Sequence, residues 1–149
     1  MQERGLRLPM ALALVRLGRL EYLRTLGELL GVQRHEVQDV VPTFLIELAR
    51  SRPEPVADEL VRMLEQGDAL ARENAAWIAG AASAGTTASA LRTALDDPAP
   101  AVRAAAAWAL GMLQDTGARG SLARLAEGED HDVAAFAREA LGRIERGAS

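Results

Sequence analysis

The stretch "DDPAPAVRAAAAWALGML", Asp96 to Leu113, decides the fold. A short acidic turn with two prolines runs into thirteen residues rich in Ala, with no further breaker except Gly111. Asp97 and Pro98 suit a helix start, and the residues beyond them are mostly strong helix formers. The phrase is not unique. "NAAWIAGAA", Asn74 to Ala82, repeats it: Trp77 and Trp108 lie 31 residues apart, as do Gly80 and Gly111. These are the chain's two Trp residues.

Stepping by 31 from Val102 and Arg103 reaches Ala71 and Arg72 upstream and Val133 and Ala134 downstream. Leu110 and Gly111 align with Ala79 and Gly80, and with Leu141 and Gly142. Upstream the Gly column continues as Ala49 and Gly18, and a second column runs Leu29, Leu60, Leu91 and Leu122. A fixed period of this size marks a stacked repeat architecture. Breaks at Gly31–Arg34, Ser51–Pro55, Gly67, Ser83–Gly85, Asp97–Pro100, Thr116–Gly120 and Gly128–Asp130 divide the chain into helices over 6–17, 20–30, 35–50, 54–66, 69–82, 87–96, 100–113, 119–126 and 131–146. One helix pair cannot bury its apolar stripe alone, so the pairs stack.

Asp97, Pro98, Val102, Arg103, Ala106, Ala107, Ala109, Leu110, Gly111 and Leu113 together resemble the HEAT-like repeat of the phycobilisome-lyase type. "ARENAAWIAGAA" keeps Arg72, Ala75, Ala76 and Gly80. "VAAFAREALGRI" keeps Val133, Ala137, Ala140, Leu141, Gly142 and Ile144 but lacks the Arg. The resemblance covers about 56–146 and weakens over 20–50, where Pro42 falls inside the second helix. It implies an all-α, right-handed solenoid of about four helix pairs preceded by one extra helix. Its divisions are a leading helix at 1–20, a diverged repeat at 20–50 and clear repeats at 51–82, 83–113 and 114–146. It also implies that Arg72 and Arg103 tie neighbouring turns together. Such repeats serve as scaffolds, adaptors and, in some members, chromophore-attachment lyases.

Composition agrees with the all-α reading. Apolar residues make up 49% of the chain but aromatics only 3%, and the apolar content is chiefly Ala and Leu. There is no Cys, hence no disulfide framework and no thiolate chemistry. All 17 basic residues are Arg, the net charge is −4, and residues 1–34 carry six Arg against three Glu. A net negative chain speaks against a general nucleic-acid binder. No apolar run is long enough to span a bilayer. "LPMALALV" after Arg7 is too short, and too soon interrupted by Arg16, to read as a signal core, so a cytoplasmic protein is expected.

On a helix advancing about 100° per residue, Val102, Ala106, Ala109, Leu110 and Leu113 share one stripe, facing the first helix of the pair. Ala107 and Gly111 point toward the next second helix. Trp108 falls well off both, with Ala105 and Met112 beside it. In the resembling family this is a variable column on the concave surface. The same column taken by period holds Ile46, Trp77, Trp108 and Glu139; its neighbours hold Thr43, Asn74, Ala105 and Phe136, and Arg50, Ala81, Met112 and Arg143. The expectation is an apolar partner-binding strip of Ile46, Trp77, Trp108, Met112 and Phe136, edged by Arg50, Glu73, Glu139 and Arg143. Trp, Met and Arg are enriched at protein interfaces. The competing role for the two Trp residues is to seal gaps between repeats.

Three further features have structural readings. "EGEDHD", Glu127 to Asp132, gathers acids around His131, as a metal site would, but at a helix start such carboxylates cap free N–H groups. "GARGS", Gly117 to Ser121, lacks the spacing and Lys of a phosphate loop and reads as a turn. The leading helix carries two apolar stripes, Leu6, Met10, Ala13 and Leu17 on one side and Leu8, Leu12 and Val15 on the other. Its second stripe calls for a cover: the next helix pair, a second copy of the chain, or a membrane surface aided by Arg4, Arg7, Arg16 and Arg19.

No catalytic or metal constellation is found, and no cofactor is expected. The expected function is a non-catalytic adaptor gripping a protein segment, such as a helix or peptide, on the concave face. The alternatives are a lyase-like accessory subunit holding a tetrapyrrole and, less favoured, a nucleic-acid module.

Overall fold

A computed structural model describes residues 2–148, with side chains from Leu8 to Gly147. The described residues form helices without strands. In chain order these are α1 (Gln2–Arg16), α2 (Leu23–Leu29), α3 (His35–Ser51), α4 (Pro53–Gln66), α5 (Ala69–Ala81), α6 (Ala88–Ala94), α7 (Pro100–Met112), α8 (Arg119–Ala126) and α9 (His131–Ala148). Single turns of 3-10 helix precede α2, α6 and α8.

The architecture is an α-solenoid. Helices α4, α6 and α8 pack on α5, α7 and α9, and α5, α7 and α9 lie side by side. The core is a continuous ribbon between the two layers. From the first helices it takes Leu60, Leu91 and Leu122, and from the second helices Val102, Ala106 and Leu110 with their counterparts. All six are fully buried.

Small residues set how closely second helices approach. A Cβ placed on Gly80 would lie 2.8 Å from Ala109 Cα, and one on Gly111 would lie 2.7 Å from Ala140 Cα. The cost of Gly inside a helix, about 1 kcal/mol against Ala, is accepted for this contact. Gly142 has no following helix among the described residues; the Arg146 guanidinium lies over it instead.

The turns are tied as expected for Arg72. Its guanidinium donates twice to the Asp97 carboxylate, at 2.7 and 3.0 Å, and once to the Gly67 carbonyl at 2.9 Å, joining two successive turns. Burial pushes the Asp97 carboxyl up. The Arg72 hydrogen bonds, the Ala99 N–H and the charges of Arg72 and Arg103 outweigh that and hold it below the usual value. Arg103 donates to the carbonyls of Asp97 and Pro98, within its own turn. Its next-repeat counterpart of Asp97 is Gly128, which has no carboxylate to offer. A second clamp went unread in the sequence: Arg92 on α6 donates to both oxygens of Asp115, at 2.7 and 3.1 Å.

The 31-residue register does not extend upstream of α4. The second helices α3, α5, α7 and α9 begin at 35, 69, 100 and 131, so the steps are 34, 31 and 31. Three extra residues lengthen α3, which reaches Ser51 and passes through Arg52 directly into α4. Columns carried upstream by 31 are therefore displaced by three. The fully buried first-helix leucine of the α2 pair is Leu26, and Leu29 is half-buried. Gly18 leaves the Gly column: it has φ +89° at the end of α1. There it matches Ser83 (φ 55°) and Gln114 (φ 51°), the residues that end α5 and α7.

Candidate functional site

The strip is built on three second helices. Trp77 is the ninth residue of α5 and Trp108 the ninth of α7; Phe136 is the sixth of α9. At these positions the side chains leave the stripe that faces the first helices. The indole rings of Trp77 and Trp108 have centroids 5.1 Å apart and tilt by 58°; Trp77 meets Phe136 edge-on at 5.6 Å. Both are within the range of favourable aromatic pairs. Because α5 and α9 are separated by α7, Trp77 and Phe136 meet across it. On α7, Ala104 and Ala105 are small and buried, and Trp108 joins the rings.

Trp108 has a second contact. A Cβ on Gly80 would lie 2.7 Å from its Cζ3 atom, so the ring lies directly on the Gly80 backbone. The three rings are each half-buried and pack against the core edge. The cluster thus packs on the core edge while part of its aromatic surface stays exposed. Met112, one helical turn beyond Trp108, is 37% exposed.

The polar rim is partly engaged within the chain. Glu73 accepts from the Trp77 indole N–H at 3.2 Å, which fixes the ring's orientation. Glu139, in the Trp column of α9, lies 3.4 Å from Arg143 and 3.9 Å from Arg146. The atom of Arg143 nearest that carboxylate is its Nε, which is itself buried. Asn74, expected beside the strip, is committed elsewhere: its amide donates to the Leu30 carbonyl at 2.9 Å and to Gln38 at 2.7 Å, tying α5 to the α2–α3 turn.

Two predicted members sit apart from the cluster. Ile46 is the twelfth residue of α3, the position that Gly80 and Gly111 hold in their helices. It is half-buried and packed on the core. The displacement by three explains the difference, and the ninth position of α3 is Thr43, which is exposed. Bulk at this face, Ile46 and Pro42 where α5 has Gly80 and Ala76, also keeps α3 from nesting as closely on α5 as α5 does on α7. Arg50 is exposed in the extra turn of α3, which α5 and α7 lack.

The other sequence features resolve into structure. Asp130 accepts from the N–H groups of Asp132 and Val133, capping α9, as Asp68 caps α5 through Ala71. Among the described residues no group of His, Cys, Asp and Glu is placed to hold a metal. Gly117 lies in the turn before α8. No described helix is long and apolar enough to cross a membrane.

No curated protein matches the chain. A family model described as HEAT repeats matches residues 57–142, from α4 into α9 and more than half of the chain. With Arg-tied acidic turns and close Gly-bearing second helices in the same span, the chain belongs to the HEAT repeat family.

Proposed function

We propose that the protein is a non-catalytic adaptor that holds a segment of another protein against the Trp77–Trp108–Phe136 cluster, on the concave face of the second-helix layer. HEAT repeats are commonly protein-interaction scaffolds and typically not enzymes. The observation that carries the reading is the cluster itself. The second-helix faces elsewhere use Ala and Gly, whereas here three large rings gather with Met112 at their edge. Packing alone would be met by smaller residues, as it is at Ala104 and Ala105. An apolar surface with a polar rim is the common form of an interaction site.

In this reading the rings supply the buried apolar anchor. Glu73, Glu139 and Arg143 set orientation at the edge. A segment such as an amphipathic helix would add Met112 to the contact.

The test is site-specific photo-cross-linking in the native host, with benzoylphenylalanine at Met112 and, as control, at exposed Ser89 on α6. The expected result is a discrete protein adduct from Met112 that Ser89 does not give. Identical adduct patterns from both sites would overturn the proposal. An absorbance scan after incubation with bilins distinguishes a tetrapyrrole occupant, the use the narrower phycobilisome-lyase resemblance implies.

A further inference from the structure

Helix α1 ends as α5 and α7 end. At all three the chain makes the same run of backbone hydrogen bonds. In α1 these are Leu17 N–H to Ala13 O, Gly18 N–H to Val15 O and Arg19 N–H to Leu14 O. In α7 they are Leu113 N–H to Ala109 O, Gln114 N–H to Gly111 O and Asp115 N–H to Leu110 O. Each helix then gives way to a residue of positive φ, a 3-10 turn and a short helix: α2 after α1, α6 after α5, α8 after α7. Helix α1 is thus built as the second helix of a repeat, 96 residues before its counterpart α7 (114 − 18 = 96).

That register assigns each face of α1. Ala11 and Val15 correspond to Ala107 and Gly111, which face the next second helix; both are buried. Arg16 lies over the Phe44 ring of α3 at 5.3 Å, on the same inward side. Met10, Ala13, Leu14 and Leu17 correspond to Ala106, Ala109, Leu110 and Leu113. In α7, Ala106, Leu110 and Leu113 lie in the stripe toward the first helix α6, and Ala109 abuts Gly80 of the preceding second helix α5. In α1 the stripe is equally apolar but more open: Met10 is 58% and Leu17 78% exposed, Ala13 is exposed and Leu14 half-buried.

The opposite end of the solenoid is different. On α9, Arg138 stands where α5 and α7 have Ala76 and Ala107, and Arg146 lies over Gly142. The side of α9 that faces away from α7 thus carries charge. With one apolar end and one charged end, copies cannot stack head to tail. Two copies associate in closed form only by pairing like end with like, about a two-fold axis.

We propose that the stripe Met10–Ala13–Leu14–Leu17 pairs with the same stripe of a second copy, each α1 covering the other. A two-fold axis across the helices makes them antiparallel, which is the arrangement short connections impose within a repeat. The spacing also fits. The first helix α4 buries Val56, Leu60 and Met63, at i, i+4 and i+7; Met10, Leu14 and Leu17 have the same spacing. Ala13, near the centre, permits close approach. The contact is one helix wide, so the dimer is of the small, weak class.

Sedimentation equilibrium on the full chain tests this, alongside Leu17→Glu and Met10→Glu. Both positions are exposed within the protomer, so neither change disturbs the fold, which circular dichroism checks. The expected result is a concentration-dependent dimer whose dissociation constant rises by tenfold or more in either variant, about 1.4 kcal/mol at tenfold. Since the chain has no Cys, Ala13→Cys provides a second readout: a single disulfide-linked dimer forms on mild oxidation and is suppressed by adding Leu17→Glu. A monomer at all concentrations, or a dimer indifferent to Leu17→Glu, overturns the proposal.

Discussion

Replacing Gly111 with Ala is a stringent test of how second helices pack. An added Cβ would sit 2.7 Å from Ala140 Cα and 2.8 Å from Ala140 Cβ. Ordinary carbon contacts lie at about 3.5–4.0 Å, so α7 and α9 must part by about 1 Å. The obstructing atoms are backbone and Cβ, and no rotamer change relieves them. The penalty therefore lies at the upper end of the range for overpacking, about 3 kcal/mol. The better helix propensity of Ala returns about 1 kcal/mol. The net loss is about 2 kcal/mol, which for a chain of this size lowers Tm by about 4–8 °C. Gly120→Ala is the matched control. That glycine is also helical, on α8, but has nothing within 4 Å of an added Cβ. There the same substitution raises stability by about 0.5 kcal/mol. Thermal unfolding followed by circular dichroism measures both. A Gly111→Ala protein as stable as the wild type, or more so, would refute the close packing of α7 on α9.

The turns and their ion pairs give further expected outcomes. Arg72→Ala leaves the nearly buried Asp97 carboxylate without its bidentate donor and costs about 2 kcal/mol in urea unfolding at pH 7, whereas Arg92→Ala, at a more exposed pair, costs under about 1 kcal/mol. The folded Asp97 carboxyl lies below its ordinary value of 3.8, so its ionisation stabilises the fold above about pH 4 and that contribution fades as pH falls through the folded value. Urea titrations of Asp97→Asn and wild type should accordingly differ at pH 7 and converge as pH falls below 3.8. Ser83→Gly, which relieves a left-handed backbone at φ 55°, raises stability by about 0.5–1 kcal/mol in the same assay.

The helices were legible because Gly, Pro and Asp punctuate nearly every junction. From α4 onward the 31-residue period placed Gly80, Gly111, Trp77 and Trp108 in their correct columns, and the resemblance anticipated the Arg72 tie. The period failed where its assumption failed. Three extra residues in α3 carry no mark of their own, since Pro42 and the apolar residues after it continue a helix without a break. Ile46, Leu29 and Gly18 were displaced by that slip alone. The φ +89° of Gly18 and the cap geometry it shares with Ser83 and Gln114 depend on backbone conformation, which neither Ser nor Gln announces. The Arg92–Asp115 clamp was equally hidden, because its two residues occur in only one repeat. Of the strip, sequence periodicity placed Trp77 and Trp108 on one face. It did not show that Phe136 reaches Trp77 across α7, which depends on how the three helices stack.

The aromatic cluster is tested most directly by measuring affinity and stability together. The protein segment cross-linked at Met112 would be titrated calorimetrically against wild type, Trp77→Ala and Met112→Glu, with the melting temperature of each recorded. The account predicts that both variants bind at least about tenfold more weakly, a loss of about 1.4 kcal/mol. Met112→Glu, changed at an exposed site, should melt close to wild type. Variants that bind as tightly as wild type, with Trp77→Ala strongly destabilised, would contradict it and leave the rings as packing alone.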